Sequence, residues 1–187
     1  VVALRQAFPV LRRSRFMTGE YNADLDVRDV RWLTPEATDI EAEQWQDTQA
    51  RCFGMLMDGR AQASGIKRPA MDATVLLVVN SHHDVVSFKL PEVTGGTTWR
   101  CLLDTKVPEV DEVETFSTGD AYEITGRSLV LYALEPEGKT SIALTRAAAA
   151  MKRISEAAAP LPAEAADQVE EGAAEAARTL KTDRETD

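Results

Sequence analysis

The stretch LLVVNSHHDVVSFKLP, Leu76–Pro91, decides how this chain is read. Thr74 to Val79 is an almost uninterrupted run of β-branched residues and leucine, the pattern of a strand buried on both faces. Val86, Phe88 and Leu90 then alternate with Ser87 and Lys89, the two-residue period of a half-buried strand. Between them NSHHD supplies Asn80, Ser81 and Asp84, whose side chains bond their own backbone in turns. The two runs are predicted to pair as a hairpin with the chain's two histidines, His82 and His83, at its tip.

Further strands lie on both sides. VRWL reads as an edge strand ended by Thr34-Pro35, and RCFGMLMDGR as a strand closed by the turn Asp58-Gly59. TTWRCLLDT follows Gly95-Gly96, DAYEIT comes next, and RSLVLYAL runs from Gly126 to Glu135-Pro136. Six or seven short strands between Val30 and Leu134, separated by Gly, Pro and Asn/Asp turns, predict an all-β antiparallel β-sandwich. Within it TDIEAEQW has the Thr38/Glu41 spacing of a capping box, predicting a short helical turn that ends near Trp45. Residues 60–71 read as a loop.

The ends differ in character. Leu4, Phe8 and Leu11 sit at helical spacing around Pro9, so residues 1–18 are expected to hold a short amphipathic helix in need of a partner. Residues 141–187 carry 15 alanines and no aromatic, a composition expected to form a solvated, partly helical or disordered tail. The organisation expected is therefore 1–18, a sandwich at 19–140, and the tail at 141–187.

Charge and motifs exclude several functions. With 31 acidic against 21 basic residues the chain would be repelled by a phosphate backbone, so nucleic acid is an unexpected partner. Cys52 and Cys101 stand in neither a CxxC pair nor a histidine cluster and are expected as free buried thiols, in keeping with a cytoplasmic location. The N-terminal run lacks the apolar core of a signal peptide, and no stretch approaches the roughly 20 apolar residues of a membrane span. GxSxG, HExxH, Walker-type and GxGxxG motifs are all missing.

Two groups of side chains remain as candidates. Vicinal histidines on a strand point to opposite faces, so His82 and His83 are read as turn residues that bond backbone or pack on a neighbouring domain rather than as a metal site. Trp32, Trp45 and Trp99 are read first as core residues. Exposure is kept open for Trp32 and Trp45, where an aromatic face would suit the apolar face of a sugar.

In order, the segments LRQAFPVLRRSRFMTG, VRWLTPEATDIEAEQW, RCFGMLMDGR, DATVLLVVNSHHDVVSFKLP, WRCLLDT and GRSLVLYAL resemble the C-terminal part of bacterial glycogen debranching enzymes of the isoamylase type, in the α-amylase superfamily. The resemblance covers residues 4 to about 134 and rests on the order and spacing of six segments. TPEATD replaces the family's Pro-Asp-Gly turn, and Ser81 stands where alanine is usual.

The resemblance implies a glycoside hydrolase of glycogen catabolism whose catalytic residues lie on a (β/α)8 barrel, a unit of about 250 residues. It implies no catalytic, cofactor-binding or metal-binding residue in this chain, and no cofactor. Residues 4–16 would be a remnant of the last barrel helix, with Leu4, Phe8 and Leu11 exposed. The partners implied are the barrel, met by His82 or His83, and α-glucan, held through the parent or by Trp32 and Trp45. A standalone α-glucan-binding module is the alternative. The start at Val1 and the unpartnered helix lead to the expectation of a fragment, inactive alone.

Overall fold

The computed structural model describes residues 2–12, 16–61, 73–107, 114–138 and 142–158. Chain contacts define two units, Val1–Met151 and Lys152–Asp187. Most of the loop expected at 60–71, and the tail from residue 159 on, lie outside the described residues.

The first unit opens with helix α1, Val2–Ala7, followed by a 3₁₀ turn at Pro9–Arg12, so Pro9 begins a new turn rather than interrupting a helix. A small ribbon follows, β1 at Tyr21–Asn22 and β2 at Val27–Arg28. Among the described residues eight strands come next, β3 Val30–Leu33, β4 Cys52–Asp58, β5 Thr74–Asn80 and β6 Val86–Lys89, then β7 Thr98–Asp104, β8 Thr115–Ser117, β9 Ala121–Ile124 and β10 Ser128–Glu135. The strand beyond the expected six or seven is β8, whose three residues are too few to show a period.

Six strands form one antiparallel sheet in the order β3-β4-β5-β10-β7-β8, and β6 and β9 form a separate antiparallel pair. The predicted hairpin is thereby corrected. β5 pairs with β4 and β10, both of its edges are taken, and β6 must leave for the second layer. NSHHD is the arch that carries the chain between the layers of the sandwich.

Alternation along the central strands divides the apolar residues between two cores. Leu76 and Val78 of β5, with Val130, Tyr132 and Leu134 of β10, face Phe88 and Ile124 of the β6–β9 pair. Gly54 makes this approach possible, because a Cβ there would stand 2.6 Å from the Phe88 ring. Trp99 is fully buried in the same core and donates its indole N–H to Pro91 O at 2.9 Å. A shift in the β7–β10 register leaves Leu102 as an extra residue. This bulge sends Leu102 and Leu103 to the opposite core and turns Asp104 to accept the Tyr122 hydroxyl at 3.1 Å.

The opposite core corrects two expectations. Leu4 and Phe8 are not an exposed patch: they are 2% and 0% accessible, packed with Met57, Val75 and Leu131 on the outer face of the six-stranded sheet, and Leu11 packs partly buried beside them. The alanine-rich segment is partly helical as expected, but it is not wholly solvated. Helix α2, Ile142–Ala158, contributes Leu144 and Ala147 to this core. The physical reason is the same for both. A central sheet apolar on two faces needs two covers, and one is a two-stranded layer while the other is helical.

Candidate functional site

The arch between β5 and β6 is held by a side chain. Asn80, 1% accessible, places Nδ2 within 2.9, 3.1 and 3.2 Å of the carbonyl oxygens of Asp84, Ile124 and Thr125, while its Oδ1 accepts the His82 amide at 2.9 Å. Arg127 N donates to His82 O at 2.8 Å, which joins the arch to the turn between β9 and β10. Ser81 donates its amide and its hydroxyl to Arg51 O, each at 2.7 Å, and this draws in the start of β4.

The histidines are turned outward by this arrangement. His82 Nδ1 accepts the Asp84 amide at 3.1 Å, and the two imidazole centroids lie 4.2 Å apart. His83 Nε2 stands 3.1 Å from the Asp84 carboxylate. Their side chains are 35% and 66% exposed. One donor atom each from His82, His83 and Asp84 falls within 4.8 Å, so these residues offer one side of a coordination shell. A closed four-ligand site needs a further donor, and His82 Nδ1 is already engaged.

Beside the arch lies a cleft of about 620 Å³. Its far wall is the segment between β3 and β4, where the predicted capping box does not form. The Thr38 hydroxyl bonds Thr34 Oγ1 at 2.8 Å, and residues 38–40 run back along the edge of β3, with Ile40 N donating to Trp32 O at 2.8 Å. An edge strand left open invites pairing, and this return covers it. The helical turn is displaced to a 3₁₀ turn at Gln44–Gln46. That turn carries Trp45 to the cleft.

The tryptophans separate by environment. Trp99 is core as expected, whereas Trp32 and Trp45 are 37% and 54% exposed, so the core reading fails for these two and the exposed alternative holds. Trp45 lines the cleft with Ile40, Phe53 and Val86. Trp32 stands behind, edge to face with Trp45 at a centroid distance of 5.5 Å and 5.8 Å from Phe53. His82 and Asp84 of the arch line the cleft, as does Arg51. Sequence reasoning marked Asn80 as a turn residue and passed over Arg51 and Phe53. The one available signal was an asparagine closing an otherwise apolar strand.

The two cysteines are free and buried. Burial pushes the Cys52 thiol up to about 11 and the Cys101 thiol up to about 12, which leaves both protonated at neutral pH. Among the described residues no helix is long and apolar enough to cross a membrane.

Residues 29–133, more than half of the chain, match the family model described as "Isoamylase, C-terminal". Proteins named glycogen operon protein GlgX homolog, from Mycobacterium bovis and Mycobacterium tuberculosis, are 32% identical over 131 residues. That alignment takes in 68% of this chain and only 18% of the length of those relatives. A solved structure of an inactive double mutant of MUTB aligns over 46% of this chain and 12% of its own, at 19% identity and a TM-score of 0.29. The six sequence segments, the sandwich built from them and the family match agree: the chain belongs to the isoamylase C-terminal family.

Proposed function

We propose that this domain supports a parent glycoside hydrolase that cleaves α-1,6 branch linkages in glycogen or limit dextrin in the cytoplasm, and that it carries none of the catalytic residues itself. What supports the non-catalytic role is the state of the buried carboxylates. Glycoside hydrolysis needs two carboxylates across a cleft, one of them a buried acid; Glu36, Asp47 and Asp84, which line the cleft beside the arch, are all exposed. Asp29 accepts the amides of Thr18 and Gly19 at 3.1 and 2.8 Å, Asp58 is paired with Arg60, and Asp104 holds Tyr122 and the Lys106 amide. These three are the buried carboxylates among the described residues; each is a structural anchor and none lines that cleft. Purified residues 1–187 incubated with glycogen are expected to release no reducing ends above buffer, and measurable release would overturn the reading.

The partner proposed is the parent's catalytic barrel, met at the outward faces of His82 and His83. In the intact parent, His82→Ala with His83→Ala is expected to lower the Tm by several degrees while kcat stays within about twofold. An unchanged Tm would remove the arch from that interface.

A standalone α-glucan-binding module is the second reading, favoured by the exposure of Trp32 and Trp45. The reading frame upstream of Val1 separates the two. A contiguous barrel sequence is expected, and a start codon without one favours the module.

A further inference from the structure

We propose that the cleft between the arch and residues 34–53 is a binding subsite for a linear α-1,4-glucan segment, with Trp45 as its stacking platform and Trp32 as the brace behind it. The choice of an α-linked glucan rests on the reading above; the place and the chemistry of the subsite rest on the geometry.

Trp45 is more than half exposed, yet it is not a loose side chain. Its backbone is pinned by Trp45 N donating to Glu41 O at 3.3 Å, and its ring is propped edge to face by Trp32, which leans on Phe53. Single exposed apolar residues are ordinary, but here Trp45 and Val85, 54% and 55% exposed, border one cleft that Phe53 also lines. A rigid aromatic loses little conformational entropy on binding. The opposite wall is equally fixed, since the arch is locked by Asn80 from within.

The polar groups select the ligand. Glu36, Asp47 and Asp84 offer acceptors and Arg51 offers donors, so a polyanion would meet three carboxylates against one guanidinium. A purely apolar segment would strip water from those charges without replacing it. A neutral chain whose rings have apolar faces and hydroxyl edges satisfies both the tryptophan and the rim. The volume, about 620 Å³, lies in the range of small-ligand clefts and suits a short oligosaccharide. In the parent, a second hold on the polymer would raise its effective concentration at the barrel.

Calorimetric titration of residues 1–187 with maltoheptaose, with cellohexaose as linkage control, tests the subsite. The expected result is saturable binding of maltoheptaose, weakened at least tenfold by Trp45→Ala and by Arg51→Gln and largely restored in Trp45→Tyr, with circular dichroism unchanged. Absence of saturation at about 10 mM, an order of magnitude above a Kd of 1 mM, overturns it. Equal affinity in Trp45→Ala and Arg51→Gln, or equal binding of cellohexaose, overturns it as well. No bond is cleaved in the titration, so a parent that debranches glycogen while this cleft stays silent loses only the subsite.

Discussion

Gly126 lies directly against the backbone of His83: a Cβ at position 126 would stand 2.1 Å from the His83 carbonyl oxygen and 2.5 Å from its carbon. The contact seats the arch on the turn between β9 and β10. It brings NSHHD and GRSLVLYAL, about 40 residues apart in the chain, into direct contact.

Gly126→Ala has no flexible side chain to displace, because the obstacle is backbone. The substitution is expected to destabilise the domain by more than about 2 kcal/mol, the scale of overpacking at a rigid site. Urea unfolding followed by intrinsic fluorescence measures it, and a midpoint equal to that of the unaltered chain would refute the close approach.

Asn80→Ala removes a side chain that three carbonyl oxygens and the His82 amide share. With those buried or half-buried groups left unpaired, the loss is expected to be about 3 kcal/mol or more. Hydrogen exchange adds a local readout: the His82 amide should exchange faster in the variant than amides at the centre of β5.

Phe8→Ala distinguishes a core helix from a surface remnant. Phe8 is fully buried on the sheet, so a cost of about 3–5 kcal/mol is expected. A surface position would fall within about 0.5 kcal/mol of the unaltered chain. Thermal unfolding decides between these values.

The pH dependence follows from the buried thiols. Folding raises Cys52 to about 11 and Cys101 to about 12 from an ordinary value of 9.0, and burial moves Tyr122 and Tyr132 upward as well. The folded state therefore keeps protons that the unfolded chain releases, so this stabilisation is complete below pH 9 and is lost as the pH climbs through about 11 and 12. Denaturation midpoints are expected to fall across that window. At pH 8 a thiol reagent should leave both cysteines unmodified in the native chain and modify both in guanidinium chloride.

The strands were legible because their signals are local. TVLLVVN carries its own burial on both faces, VSFK its own alternation, and Gly and Pro punctuate the turns. Partnership between strands was not legible. Nothing local in NSHHD separates a hairpin tip from an arch; the distinction arises because β4 and β10 occupy both edges of β5. The capping box at Thr38 failed for a related reason, since the open edge of β3 offered residues 38–40 a better set of hydrogen bonds than an isolated helical turn.

By itself, then, the sequence determined the longer strands of the sandwich, the class of fold and, through the order of its segments, the family; the short strands β1, β2 and β8 came only with the structure. Tertiary structure alone decided which faces were covered: it buried Leu4, Phe8, Leu144 and Ala147 against the sheet and left Trp45 at the rim of a cleft. Periodicity reports that a residue seeks burial. Whether burial is available depends on which surfaces meet, and that is settled only when segments far apart in the chain compete for the same face.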